Sequence, residues 1–328
     1  MDFLSSILWL FLAWALIQGL LSAIKARNRK LPLPPGPIPY PIVGNLFKLG
    51  DKPHKSLAKL AKIHGPIMSV KLGQITTIVI SSPALAKEVL QTNDLNFSYR
   101  AFPECTKAHN HHINSMVWLP PAKEWRNLRK LSNSQIFSAR TLDANQHLRQ
   151  QKVAELLEYV QECSKAGLPV DIGRAAFVTS LNLLSNTVFS ADLVNPRSDS
   201  AQEFKDLTWD IMEEIAKPNL ADYFPVLRSI DPQGRKCRLG SLFGKMFDIF
   251  NNLIEQRLQS IQAHGSHSNT GTDVLDILLG IIAENKEIDR TMLLHLFLGA
   301  GSKKIDMDDK FGITLQKSKP LLAVPVKA

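Results

Sequence analysis

The chain has 328 residues, of which 45% are hydrophobic and 21% are charged. This composition is enough for one large domain or two smaller ones and argues against disorder throughout. The net charge of +9 suits nucleic acid, an anionic membrane surface or an acidic protein partner, or is an excess of solvated lysines. The three cysteines are widely spaced without a C-x-x-C pair, so they indicate neither a disulfide framework nor a zinc site and fit a reducing compartment.

An uncharged apolar run lies near the N-terminus, from Phe3 to Ile24. A helix of that length can cross a hydrocarbon core of about 30 Å. Four basic residues follow between Lys25 and Lys30, whereas a cleavable signal peptide would carry its basic residues before the apolar run. The pattern therefore predicts a single-pass transmembrane anchor, and the positive-inside rule leaves the bulk of the chain in the cytosol.

Residues 31–41, LPLPPGPIPYP, are rich in proline. Proline fixes φ so often here that neither a helix nor a central strand can persist, which predicts a stiff connector. Such segments are also ligands for peptide-binding domains. The position between an anchor and a globular body favours the spacer.

A small α+β unit is predicted after this hinge. The stretch from Ser56 to His64 has the pattern of an amphipathic helix, and residues 68–72 and 76–80 alternate as the strands of a hairpin. Ser82 and Pro83 are an N-cap and a first-turn proline, so they predict the start of another helix.

Three histidines, His109, His111 and His112, lie close together in AHNHHIN. A metal site would need further ligands, and no acidic or cysteine residue lies nearby at ligand spacing. We therefore predict a solvated turn.

Trp125 and Arg129 lie four residues apart in PPAKEWRNLRK. If Pro121 opens a helix, both side chains are on one face, with an apolar ring beside a guanidinium that can bind a carboxylate. A packed tryptophan next to a surface arginine is the simpler alternative.

Apolar residues then recur at helical spacing and predict core helices over residues 141–166, 171–184, 204–215, 242–258 and 274–282. The aromatic and methionine residues between Phe204 and Leu258 are, from the sequence alone, typical of a packed core.

Two kinds of sequence meet between Leu293 and Leu315. An apolar helix runs into Gly299, Ala300 and Gly301, where a backbone could approach a flat ligand closely. An acidic turn and a short alternating strand follow over residues 305–315. The change of pattern predicts a seam near residues 302–304.

The helix that ends at Gly301 resembles the long central helix of the plant microsomal cytochrome P-450 family, whose pattern there is A-G-x-D-T. IDMDDKFGITLQKSKPLLAVPV resembles that family's C-terminus, and Pro34-Pro35-Gly36-Pro37 resembles its P-P-G-P hinge. The likeness covers Phe3 to Gly301 and resumes near Ile305. Within the family, the narrower likeness is to plant terpenoid hydroxylases such as geraniol- and diterpene-oxidising enzymes.

This resemblance implies a mainly α fold with a small β sheet (α+β), namely the N-terminal two-thirds of a cytochrome P-450 fold behind one transmembrane helix. It divides the chain into an anchor with its basic flank (1–30), a hinge (31–41), a partial cytochrome P-450 domain (42–301) and the seam with the family's C-terminal strand segment (302–328). It also implies the endoplasmic reticulum membrane as the location.

The resemblance further implies haem as the parent enzyme's cofactor, with Trp125, Arg129, Ala300 and Gly301 as cofactor-binding residues and Trp125–Arg129 at a propionate. The implied partners are membrane lipid, an NADPH-cytochrome reductase and a small apolar terpenoid substrate, with no nucleic acid. The helices between Phe204 and Leu258 would roof the substrate pocket.

The family's E-x-x-R pair and cysteine loop would lie between Gly301 and Ile305, and both are missing there. The cysteine thiolate of that loop is the axial ligand of the iron. We therefore expect no catalytic residue and no metal ligand in this chain, and a truncated product without monooxygenase activity. A non-catalytic membrane-bound binding or modulating protein and an unstable splice product are the alternatives.

Overall fold

The structure, a computed structural model, describes residues 32–194, 200–264, 273–284 and 289–298, with Trp9, Ala13, Ile17 and three two-residue strands after residue 308. Within this part, the fold is mainly helical with small antiparallel strand pairs. The predicted combination of many helices and a small sheet is confirmed.

The helices, in chain order, are α1 (Pro53–His64), α2 (Pro83–Lys87), α3 (Asp94–Phe97), α4 (His111–Asn114), α5 (Lys123–Leu131), α6 (Ala139–Ala144), α7 (Gln146–Lys165), α8 (Ile172–Phe189), α9 (Ser200–Ala216), α10 (Leu220–Tyr223), α11 (Arg235–His264), α12 (Val274–Glu284) and α13 (Arg290–Phe297). The strands are β1 (Ile67–Leu72), β2 (Ile75–Ile80), β3 (Val170–Asp171), β4 (Asp309–Lys310), β5 (Gln316–Lys317) and β6 (Leu322–Ala323). Short 3₁₀ or π turns cover Leu46–Lys48, Glu88–Thr92, Glu104–Asn110, Ser132–Ile136 and Pro225–Leu227.

The chain divides into two compact units. The first is Met1–Ser98 with Asn219–Gln233, and the second is Tyr99–Pro218 with Gly234–Ala328. The first unit contains the predicted hairpin, in which β1 and β2 pair antiparallel from Ile67 opposite Ile80 to Leu72 opposite Ile75.

The hairpin turn explains why residues 219–233 belong to the first unit. The Gln74 amide donates to the Tyr223 carbonyl at 3.0 Å. Gly73 has a left-handed φ of 58°, and a Cβ there would lie 2.7 Å from the same carbonyl oxygen. Only glycine allows this approach, because it has no side chain and adopts positive φ freely.

The proline-rich segment is packed against β1 in this unit. The Ser69 amide donates to the Pro35 carbonyl at 2.9 Å, and the Ser69 hydroxyl donates to the Pro34 carbonyl at 2.7 Å. Asn45, which is 1% exposed, donates to the Ile38 carbonyl and accepts from the Lys71 amide. Residues 34–38 of the predicted connector are therefore part of a folded unit.

Helix α11 runs through the core of the second unit. Its residues Leu239, Phe243 and Ile254 are 0% exposed. They belong to one apolar cluster that also draws on α8, α9, α12 and α13. Burying each such side chain stabilises the fold by about 1.5 to 3 kcal/mol, so this cluster is the main source of stability in the unit.

Aspartate caps fix the starts of two core helices. The Asp171 carboxylate accepts from the Arg174 amide at 2.9 Å, and the Asp289 carboxylate accepts from the Met292 amide at 2.8 Å. Each cap is worth about 1 kcal/mol. The predicted helix start at Asp171 is confirmed, since α8 begins at the next residue.

The predicted helix over residues 141–166 is wrong in two respects. Asn145 separates α6 from α7. Val153 and Leu157, which were expected in the core, are 51% and 56% exposed. The apolar spacing on α7 is therefore only partly used for packing, and the buried residues of this helix are Leu148, Lys152 and Cys163.

Some predictions fall on residues outside the described part. These are the small-residue patch at Gly299 to Gly301, the strand over residues 311–315 and most of the span from Phe3 to Ile24. In the part of the chain that is described, no helix combines the length and apolar character needed to cross a membrane.

Candidate functional site

A cavity of about 230 Å³ lies within the second unit. It is bounded by residues 115–117, the turn after α5, the helices α8, α9 and α11, and the end of α13. The wall is mostly apolar and includes Phe177, Leu181, Val188, Phe204, Ile211 and Phe250. Small-molecule pockets usually measure about 300 to 1,000 Å³, so this cavity suits a small apolar ligand.

Most polar side chains of the wall already have partners. The Ser132 hydroxyl donates to the Leu128 carbonyl, and the Ser185 hydroxyl donates to the Ala191 carbonyl. The Ser115 hydroxyl accepts from the Val117 amide. No charged side chain lines the cavity among the described residues.

A buried pair of histidines adjoins the cavity. His295, on α13, lines the cavity and is 1% exposed, and His111, on α4, is 5% exposed. Their Nδ1 atoms are 2.7 Å apart, and His295 Nε2 lies 3.2 Å from the His109 carbonyl. Because a carbonyl only accepts, His295 donates from Nε2, which makes its Nδ1 the acceptor and His111 Nδ1 the donor.

Aromatic packing and a second hydrogen bond hold this pair in place. His111 packs at 4.7 Å from the ring of Phe243, and His295 packs edge-on at 4.9 Å from Phe247. His109 Nε2 donates to the Gly240 carbonyl at 2.9 Å. The pair thus joins α4, α11 and α13 beside the cavity.

Burial keeps both histidines neutral. Desolvation lowers the pKa of His111 from 6.5 to about 3, with smaller contributions from the nearby His295 and His112. Desolvation also lowers the pKa of His295 to about 4, and the hydrogen bond to the His109 carbonyl opposes this only in part. Two neutral imidazole rings can form one hydrogen bond with each other, whereas two positively charged imidazolium rings would repel each other.

The prediction of a solvated histidine turn is therefore wrong for His111. The physical reason is a partner 184 residues away, which local sequence does not reveal. The one available signal was His295 itself, a lone histidine within the apolar stretch LLHLF. Such a residue needs a buried hydrogen-bond partner.

Trp125 and Arg129 both lie on α5, so the helix that was predicted to carry them is present and begins at Lys123. Trp125 is half-buried and Arg129 is exposed, and neither lines the cavity. Within the described residues, the Arg129 guanidinium has no hydrogen-bond or ion-pair partner. The structure thus leaves this guanidinium available, and its cofactor role stays a prediction.

Ala300 and Gly301 lie outside the described residues. The residues just before them do reach the cavity, because Leu296, Phe297 and Leu298 are part of its wall. The last described residues of the helix that was predicted to approach a ligand therefore line the cavity.

Comparison with known proteins identifies the family. The cytochrome P450 family profile matches residues 34–303, which is most of the chain. This chain belongs to the cytochrome P450 family.

Three relatives from this family illustrate the match. Geraniol 8-hydroxylase of Catharanthus roseus is 54% identical over 303 residues, covering 91% of this chain and 60% of the relative. Lauric acid 10-hydroxylase of Petunia hybrida is 53% identical over 86% of this chain and 48% of the relative. Drimenol monooxygenase of Persicaria hydropiper is 46% identical over 93% of this chain and 60% of the relative. The chain thus spans about 60% or less of the length of these curated relatives.

Cytochrome P450 enzymes hold haem iron through a cysteine thiolate, and the three cysteines of this chain do not fit that role. Cys105 is 1% exposed within the main apolar cluster, and Cys163 lies in a separate small cluster with Val170. Cys237 is exposed on α11. None of the three lines the cavity. His295 does line it, but both of its ring nitrogens are already hydrogen-bonded.

Proposed function

We propose that this chain forms the substrate-binding part of a haem-thiolate monooxygenase that hydroxylates a small terpenoid-type molecule with electrons from an NADPH-dependent reductase. We further propose that these 328 residues alone do not carry out the oxidation. The observation that carries the first part is the apolar cavity between α8, α9, α11 and α13. The observation that carries the second is the surroundings of the three cysteines, since Cys105 and Cys163 are packed in two apolar clusters and Cys237 is exposed on α11.

The relatives support the substrate class. Geraniol and drimenol are terpenoid alcohols, and lauric acid is a straight-chain fatty acid, so all three compounds are largely apolar. A wall of phenylalanine, leucine, isoleucine and valine side chains buries such a skeleton favourably, at roughly 25 cal/mol for each Å² removed from water. The comparisons do not favour a modulating protein or an unstable product over a member of this enzyme family.

A cavity-filling variant tests the binding site. Leu184 lines the cavity and is 36% exposed, so Leu184→Trp should narrow the cavity without burying a larger side chain in the core. We expect the full chain to bind geraniol and the variant to bind it at least about tenfold more weakly, because a filled cavity excludes the ligand. Isothermal titration calorimetry of the full chain in detergent measures both affinities.

Leu142→Trp is the matched control. Leu142 is 43% exposed on α6 and does not line the cavity, so this variant should bind geraniol as the unchanged chain does. Equal binding by the unchanged chain and by Leu184→Trp would contradict the proposed site. A fully folded chain that binds no terpenoid would contradict the proposed substrate-binding function.

The membrane location is part of the same proposal. The uncharged run from Phe3 to Ile24 and the basic residues after it support a single-pass anchor with the bulk of the chain in the cytosol.

We expect the full chain to sediment with microsomes, to resist carbonate extraction and to expose a C-terminal epitope to protease in sealed vesicles, because its bulk faces the cytosol. A chain without residues 1–30 is the control and should leave the membrane pellet after carbonate treatment. Protection of the epitope in intact vesicles would contradict the orientation.

A further inference from the structure

The outer edge of strand β2 has backbone groups without hydrogen-bond partners. In an antiparallel strand pair, hydrogen-bonded residue pairs alternate with pairs that are not hydrogen-bonded. The Ser81 amide donates to the Pro66 carbonyl at 2.8 Å, which fixes the phase of this alternation. The register then makes Thr77 and Val79 bond to β1, while the amide and carbonyl of Ile78 between them point away from β1. Among the described residues, neither group of Ile78 has a hydrogen-bond partner.

The exposure of β2 agrees with an open edge. All six residues of this strand are exposed or half-buried, and Ile78 is 42% exposed. On β1, by contrast, Met68 and Val70 are 0% and 2% exposed. The covering of the hairpin is therefore on the β1 side.

The outer edge of β1 is closed by hydrogen bonds. The Ser69 amide donates to the Pro35 carbonyl, and the Lys71 amide donates to the Asn45 side-chain oxygen. The Asn45 amide in turn donates to the Lys71 carbonyl. In the described part of the chain, the hairpin thus has one open edge, and that edge is β2.

The sequence of β2 favours pairing with another strand. It reads ITTIVI, in which every residue is β-branched, and residues 72–86 include no charged residue. Natural edge strands usually carry a lysine, a proline or a bulge that blocks pairing. β2 has none of these, since its register with β1 is continuous. Short, uncharged segments of high β-propensity are typical of strands that associate between chains.

A second copy of this chain fits the edge. In antiparallel pairing about a two-fold axis, Ile78 lies opposite Ile78 of the second copy, and Thr77 lies opposite Val79. No charged side chains meet, and cross-strand pairs of β-branched residues stabilise a sheet. The other described strands of the chain are two residues long and are paired already, β3 with β6 and β4 with β5. They do not offer a partner of equal length.

We infer that this chain forms a homodimer in which β2 of one copy pairs antiparallel with β2 of the other. A two-stranded hairpin is marginally stable in water, and further strands stabilise it, so joining two hairpins into one four-stranded sheet is favourable. Because the outer edge of β1 is covered in each copy, the assembly closes at two chains. The inference is independent of the proposed function, since no residue of β2 lines the cavity.

A charge-swap experiment at Ile78 tests the dimer. Full-length chains with a donor or an acceptor dye at the C-terminus, in phosphatidylcholine vesicles, report self-association by energy transfer. Ile78→Lys and Ile78→Glu should each weaken self-association at least about tenfold, because like charges lie directly opposite each other. A mixture of the two variants should restore the energy transfer, because opposite charges then face each other. Each variant alone should keep the far-UV circular dichroism of the unchanged chain.

Ile63→Lys and Ile63→Glu are the matched controls. Ile63 lies on α1 in the same unit and is 75% exposed, so these variants make the same charge changes away from the edge. They should associate as the unchanged chain does. If Ile78→Lys associated as strongly as Ile63→Lys, or if the folded unchanged chain showed no energy transfer, the inference would be overturned.

A cross-linking experiment tests the position of the two strands. Opposite residues of an antiparallel pair have Cα atoms about 5.5 Å apart, which is within reach of a disulfide bond. With Cys237→Ser as the background, Ile78→Cys should give a disulfide-linked dimer under mild oxidation. Ile63→Cys should cross-link at least about tenfold more slowly, although Ile63 is the more exposed residue. Equal rates, or no cross-link at Ile78→Cys because another segment of the chain covers the edge, would contradict pairing through β2.

Discussion

The purified 328-residue chain, reconstituted with haem, reduced and exposed to carbon monoxide, should show no red-shifted Soret band. That band requires a thiolate bound to the iron. Cys105 and Cys163 are buried in two different apolar clusters, and Cys237 is exposed on α11. We expect the band to be absent and the monooxygenase activity to be lost completely, because the reaction needs an axial thiolate on the iron.

An insertion variant is the control for this experiment. Placing a family member's segment with its E-x-x-R pair and cysteine loop at the seam near Ser302 should produce the band and reductase-dependent hydroxylation of a terpenoid. Changing Ser302, Lys303 and Lys304 toward the family's x-D-T pattern without the insertion should produce neither. A red-shifted band, or turnover of terpenoids, from the unmodified 328 residues would contradict the proposed inactivity.

Loss of the Arg129 guanidinium should have a smaller effect than loss of the axial cysteine. A lost hydrogen bond to a charged group costs roughly 1.5 to 3 kcal/mol, which weakens binding without abolishing it. In the insertion variant, Arg129→Ala should therefore reduce haem retention while the spectrum keeps its position.

Local chemistry explains which parts of the fold could be predicted from the sequence. The hairpin over β1 and β2 follows from alternation around Gly73, and each predicted strand starts one residue later than the observed one and ends at the same residue. The cap at Ser82 is present, since its hydroxyl accepts from the Leu85 amide at 3.3 Å. These features depend on residues within a few positions of each other, so the sequence contains all the information that they need.

Features that depend on distant residues could not be predicted in this way. The bond between His111 and His295 joins α4 to α13, and the packing of Pro34 and Pro35 on Ser69 joins the hinge to β1. The sequence predicted the aromatic residues of the cavity wall only as part of a packed core, because the wall is formed by helices that are far apart in the chain.

The histidine pair should make the second unit sensitive to acid. In the folded chain the pKa of His111 is about 3 and that of His295 about 4, whereas both have a pKa near 6.5 when unfolded. Between pH 6.5 and pH 4 the unfolded chain therefore binds protons that the folded chain excludes. By linkage, the stability from these groups is complete above pH 6.5 and is lost as the pH falls.

The expected loss of folding stability is large for a pair of residues. Each pKa unit corresponds to about 1.4 kcal/mol, so lowering the pH from 7 to 5 should reduce the free energy of unfolding by on the order of 2 kcal/mol per histidine. Urea denaturation of the full chain at a series of pH values between 7.5 and 4.5 measures this slope.

Replacing both histidines should flatten that slope. In the double variant His111→Leu and His295→Leu, both partners of the buried bond become apolar and pack against Phe243 and Phe247, so the folded state no longer excludes two protons. His147→Gln is the matched control, because His147 is exposed on α7, and it should keep the original slope. If the double variant lost stability with falling pH as steeply as the unchanged chain, other groups would control the acid response. The two histidines would then not have the low pKa values that keep them neutral, and the assignment of donor and acceptor between them depends on that neutral state.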